Sequence, residues 1–123
     1  RPGGKKVEEM SLKPVAEYLQ DHFKYVAFAT DCVGNVAEEI VNSSKKGSVI
    51  LLENLRFHAG EKANDAEFAR ELSKLGDIYV NNAFGTCHRN HASMSGVAEH
   101  FDQRAIGDLV EKEIKFLKAL LNK

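Results

Sequence analysis

Residues Gly76–Met94 read GDIYVNNAFGTCHRNHASM. Ile78, Tyr79 and Val80 are β-branched or aromatic and predict a short buried strand, while Asn82 and Gly85 favour a turn directly after it. The loop then carries Cys87, His88, Arg89, Asn90 and His91. A hydrophobic strand that empties into a polar, cationic loop is how open α/β folds build a ligand site at the carboxyl ends of their strands. The chemistry on offer is anion binding. Arg89 presents a rigid fork of donors, and His88 and His91 add donors when protonated.

Two further strand-like runs precede this stretch. Tyr25–Ala29 ends at Thr30, Asp31 and Cys32, and Ser48–Leu52 ends at Glu53, Asn54, Leu55 and Arg56. The second is continuously apolar, which suits a central parallel strand covered on both faces. Helical patterns alternate with the strands. Ser11 is placed to cap a helix through His22, with Val15, Tyr18, Leu19 and Phe23 as its apolar stripe. A second helix opens at Gly34, with Val36, Ala37, Ile40 and Val41 inward. A loop through Gly60 leads to Asn64–Glu67, which has the form of a capping box. Phe68, Leu72 and Leu75 stripe the helix that follows, and Gly76 is placed to end it. Ser95–Ala105 reads as irregular. A last helix from Asp108 carries Leu109, Val110, Ile114, Phe116, Leu117, Leu120 and Leu121 over a wide arc, wide enough for part of it to dock on something else.

This alternation predicts an α/β fold: a three-layer, Rossmann-like parallel sheet with helices on both faces and right-handed crossovers. Three strands are few for such a sheet, so it is expected to be incomplete here, with further strands upstream of Arg1.

In a parallel sheet the strand ends share one rim. Arg56 and Arg89 each follow a strand end, and Arg1 would join them if another strand ended just before it. Several guanidinium groups in one sheltered cleft repel each other unless an anion joins them, and phosphate or carboxylate suits bidentate Arg. The plainer alternative gives each arginine a local carboxylate partner, such as Glu53 for Arg56. A zinc site at Cys87, His88 and His91 is the weaker reading, because a structural site needs four protein ligands and the spacing offers no second pair.

The totals bound the rest. A chain of 123 residues makes one domain at most, and a net charge of −1 argues against a generally basic nucleic-acid surface. No apolar run approaches the length of a membrane span. The two cysteines form no CxxC and read as buried or half-buried free thiols in a reducing, cytoplasmic setting. There is no GxxxxGK[ST] and no GxGxxG, so no nucleotide cradle is legible.

Several segments occur in a telling order. They are Arg1-Pro2-x-Gly4, Ser11-Leu12-x-Pro14-Val15, Asp31-Cys32-x-Gly34, Leu51–Phe57 (LLENLRF), the Gly76–Ser93 series and Glu111-Lys112-Glu113. Together they resemble the amino-terminal domain of phosphoglycerate kinases, and the short Gly60–Asn64 connection resembles bacterial members. The resemblance implies that residues 1–123 are part of a substrate-binding domain, with a carboxyl-terminal nucleotide-binding domain lying outside them. It implies a cytoplasmic, monomeric, glycolytic parent that moves phosphate between 1,3-bisphosphoglycerate and ADP, giving 3-phosphoglycerate and ATP. Mg-ADP or Mg-ATP would be held by the other domain, and this stretch alone would be inactive. Carried over by motif, Arg1, Arg56 and Arg89 would contact the substrate phosphate, with His88 and His91 in the surrounding basic patch. No catalytic residue and no metal ligand is expected within this stretch. Asn82 stands where the family usually has aspartate, and Cys87 where it usually has alanine. Asn82 therefore bears on how Arg89 and the histidines are oriented.

Overall fold

Four short strands carry the architecture: β1 (Val26–Ala29), β2 (Val49–Leu52), β3 (Tyr79–Asn81) and β4 (Arg104–Ile106). The computed structural model describes residues 2–121. β1 and β2 pair in parallel with Val26 opposite Val49 and Ala29 opposite Leu52. β3 and β4 pair in parallel with Tyr79 opposite Arg104 and Asn81 opposite Ile106. The helices are α1 (Lys13–Gln20), α2 (Gly34–Ser43), α3 (Ala59–Ala63), α4 (Ala66–Ser73) and α5 (Asp108–Leu121). The result is an incomplete Rossmann-like α/β domain.

The expected single three-stranded sheet is instead two separate parallel pairs. β4 lies within the stretch read as irregular. It is three residues long and exposed throughout, so it shows no alternation that a sequence reading could detect. Its ladder is nonetheless regular: Tyr79 N donates to Gln103 O at 3.1 Å and Gly107 N to Asn81 O at 2.8 Å. Between the pairs lies a cleft of about 650 Å³ lined by apolar side chains such as Leu51, Leu72, Ile78 and Phe101. Ile78 and Val80, expected to be buried, are more than half exposed.

The helices also depart from expectation in detail. α1 starts at Lys13, and Val15 and Tyr18 face solvent while Ala16 is buried. Ser11 is only a distant cap, accepting from Lys13 N at 3.3 Å, because its hydroxyl donates to Glu53 Oε2 at 2.6 Å. In α2, Ala37 is buried but Val36 is exposed. The Gly60 loop is the helix α3. Asn64 ends α3 in the left-handed region (φ 51°), so it is a C-cap, and Asp65 is the N-cap of α4, accepting from Phe68 N at 2.8 Å. Glu67 does not complete a capping box but pairs with Arg70. α4 ends at Ser73, short of Gly76.

The small core sits beneath the carboxyl ends of β1 and β2. Cys32, Phe68, Ala69 and Ala92 are buried together, with Val33, Leu52 and Leu55 packed against them. Phe68 and Ala69 come from α4 and Ala92 from the cationic loop, so burial of apolar area anchors that loop directly over the strand ends.

Candidate functional site

Three segments meet at the rim. After β2, Asn54 caps a 3₁₀ turn, Leu55–Phe57, by accepting from Arg56 N at 3.0 Å. The turn passes directly into α3, whose successive turns present His58 and Lys62 four residues apart, on one face. The chain's amino-terminal turn lies alongside. Gly4 has φ +86°, its N–H donates to Arg56 O at 3.2 Å, and an added Cβ would stand 2.9 Å from Ala59 Cβ. Only glycine fits that conformation and that approach. The third segment is the loop after β3.

These segments enclose a cavity of about 310 Å³. Arg56, His58 and Lys62 line one wall, Pro2–Gly4 another, and Arg89 and His91 the third. The structure thus brings together Arg56, Arg89 and His91. His88 is exposed and is not among the lining residues. Arg1 lies outside the described residues. Lys62 and His58 went unrecognised in the sequence because α3 was read as a loop; their i, i+4 spacing was the available signal.

Among the described residues neither Arg56, Arg89 nor Lys62 is in an ion pair. Glu53, the expected local partner of Arg56, is spent elsewhere: it accepts from Ser11 Oγ, Leu12 N and Asn54 N. Its burial would raise the carboxyl's pKa, but those three donors outweigh it and hold the group below its ordinary value. Arg89 Nε is buried without a hydrogen-bond partner. A buried unpaired donor costs about 1–3 kcal/mol. His91, only 8% exposed, has its pKa lowered by burial first and then by Arg56, with Arg89 and Lys62 adding to the effect and Glu61 opposing it.

Beside the cavity, Asp31, Cys32 and His58 lie together. Their ligand-type atoms are all within 4.8 Å of one another. The contact is an ion-pair geometry next to a packed thiol: His58 Nε2 lies 2.6 Å from Asp31 Oδ1. Burial, then the Asp31 charge, pushes the Cys32 thiol up to about 12. Burial would also raise Asp31, but the His58 contact and the Cys32 N–H outweigh it and hold its carboxyl below the usual range. Cys87, expected to be at least half-buried, is exposed. Asn82 turns away from the cationic loop, and its Oδ1 accepts from Leu109 N at 2.9 Å at the start of α5. Its influence falls on α5 rather than on Arg89.

The sequence profile of phosphoglycerate kinase matches residues 1–123. The chain belongs to the phosphoglycerate kinase family. The phosphoglycerate kinase of Synechococcus elongatus is 52% identical over 123 residues, which cover 99% of this chain and 31% of the relative. That of Salinibacter ruber is 52% identical over 118 residues, covering 95% and 30%. Among solved structures, phosphoglycerate kinase from Coxiella burnetii superposes with a TM-score of 0.79 at 34% identity, covering 96% of this chain and 29% of that one. The Pyrococcus horikoshii enzyme gives 0.75 at 34% identity, covering 85% and 28%. The chain therefore spans about 31% of the length of the relatives it matches, at the amino-terminal side of these transferases.

Proposed function

We propose that the cavity between α3 and the Arg89–His91 loop binds the acidic substrate of the phosphoglycerate kinase reaction, 3-phosphoglycerate or 1,3-bisphosphoglycerate. The observation that carries this reading is the convergence of Arg56, Lys62 and Arg89 on one 310 Å³ cavity with no carboxylate paired to any of them among the described residues. Cations left unpaired in a sheltered site favour a multiply charged anion. Arg89 lines the cavity opposite Arg56 and Lys62 and brings the planar guanidinium that suits a phosphate. His91, whose pKa is lowered by burial and then by Arg56, lines the same cavity, and a bound phosphate would favour its proton uptake.

Within the parent enzyme the chemistry is phosphoryl transfer, in which the protein positions the groups and offsets developing charge. The glycine- and lysine-bearing turn of this chain is a poor match for a nucleotide's phosphates. Gly3-Gly4-Lys5-Lys6 leads into a 3₁₀ turn, Glu8–Met10, whose first residues are acidic, the wrong charge for a phosphate cradle. Mg-ADP and Mg-ATP are accordingly assigned to other residues of the parent, and the 123-residue chain by itself is proposed to be inactive. A coupled assay with ATP and 3-phosphoglycerate tests that statement, and turnover would refute it. The binding site is tested by NMR titration with 3-phosphoglycerate, using glycerate as the phosphate-free control. Shifts are expected at Gly4, Arg56, Lys62 and Arg89–His91 with the phosphorylated ligand. Shifts confined to other residues, or equal shifts with glycerate, would overturn the assignment.

A further inference from the structure

The loop that carries Arg89 and His91 brings positive charge close to Arg56 and Lys62 and is held in place there. The structure shows how. Glu61 lies in sequence between two cavity-lining residues of one wall, His58 and Lys62, but it turns inward and the residue is only 3% exposed. Ser93 N donates to Glu61 Oε2 at 2.9 Å, and Ser93 Oγ donates to Oε1 at 2.6 Å. The backbone repeats the link, with Ala92 N donating to Glu61 O at 2.9 Å. His91 Nδ1 stands 3.7 Å from Oε1, too long for a hydrogen bond but close enough for a strong charge effect. One turn later Asn64 extends the same strut: Gly96 N donates to its Oδ1 at 3.1 Å, and its Nδ2 donates to Asn90 Oδ1 at 3.2 Å.

We infer that Glu61 is the positioning residue of the anion cavity, tying the Arg89–Ser93 loop to α3 and standing against the His91 ring. The inference rests on the reading of the cavity as a phosphoglycerate site. A buried carboxylate is costly unless its oxygens are satisfied. Here both oxygens are taken by one residue, Ser93, so the charge fixes the backbone of the loop. The charged groups facing His91 are Arg56 from the 3₁₀ turn, Arg89 from its own loop, and Lys62 and Glu61 from α3. Glu61 is the one carboxylate of that set. At His91 it opposes the effect of the three cations.

The test uses the full chain carrying Glu61→Gln, read by thermal melting, calorimetric titration with 3-phosphoglycerate, and NMR titration of the His91 ring. The variant is expected to bind about tenfold more weakly, the order of loss when a charge-assisted hydrogen bond becomes a neutral one. The His91 pKa is expected to fall further, because the one carboxylate that raises it is gone. A purely structural role would lower the melting temperature and leave the His91 titration unmoved; that result, or unchanged affinity, overturns the inference. If Glu61→Gln does not fold, Ser93→Ala removes one of the two side-chain links and should weaken binding by a smaller factor, whereas undiminished binding refutes the role. Arg89→Ala keeps the two readings apart. If wild type and Arg89→Ala bind 3-phosphoglycerate equally, the cavity assignment fails, while the His91 titration in Glu61→Gln still decides whether Glu61 acts on the His91 ring.

Discussion

The cationic loop and helix α5 are close in sequence and are held by opposite means. The loop from Arg89 to Gly96 is wired by polar contacts to distant elements: Glu61 and Asn64 from α3, and Tyr79, whose hydroxyl donates to Ser93 O at 2.8 Å. Ala92 is fully buried in the core. α5 has one buried residue, Val110, and a side-chain bond to Asn82 at its first turn, while Phe116, Leu117, Leu120 and Leu121 are exposed. An apolar stripe contributes to stability only when it is covered. The comparison teaches that the geometry of the candidate site depends on local polar specification, and the placement of α5 hardly at all on its own side chains. Substitutions at the loop should therefore be costly and substitutions along α5 tolerated.

The largest expected effect is at Gly96. A Cβ there would stand 2.6 Å from Asn64 Oδ1 and 2.9 Å from Ala69 Cβ. Gly96→Ala should destabilise by about 1–3 kcal/mol through overpacking, read by denaturant unfolding; an unchanged midpoint would break the contrast.

A second test is pH. Asp31 and Glu53 have lowered folded-state pKa values, so their contributions are fully present above the unfolded carboxylate range and are lost as pH falls through the folded values. His91 acts at higher pH. Its folded pKa is also lowered, so between that value and the unfolded histidine value the unfolded chain binds more protons and stability rises with pH. Unfolding midpoints should thus decline on acidification, starting below the ordinary histidine pKa. In His91→Gln the first part of that decline should vanish.

Smaller effects are expected at α5. Asn82→Asp should stabilise by about 0.3–1 kcal/mol, since a carboxylate accepting from Leu109 N complements the helix dipole. The same change should leave the His91 titration unmoved, because Asn82 faces α5. Phe116→Ser should change stability by less than about 0.5 kcal/mol, as exposed positions usually do.

The readings that succeeded in the sequence were those written in local pattern. β1 and β2 were placed within a residue because each is a continuous apolar run, and the LLENLRF and HRNH segments put Arg56 and Arg89 at strand ends. Two of the failures share a physical cause: the deciding contact was remote. Ser11 looked like a helix cap, but Glu53, 42 positions away, takes its hydroxyl. Asn82 looked like part of the cationic loop, but its partner is Leu109. α3 was invisible because it is only five residues long and Gly60 interrupts otherwise good helix formers, and with it went Lys62, His58 and the inward turn of Glu61. β4 is too short and too exposed to leave a periodic signal.

The central claim is that Arg89 closes an anion site for phosphoglycerate. The most direct measurement is calorimetric titration of the full chain with 3-phosphoglycerate, wild type against Arg89→Ala, at two salt concentrations. Wild type should give saturable heat that weakens with salt, and Arg89→Ala should lose tenfold or more in affinity, the order expected for a charge-assisted pair of hydrogen bonds. Equal binding by both proteins, or no heat from either, would contradict the account.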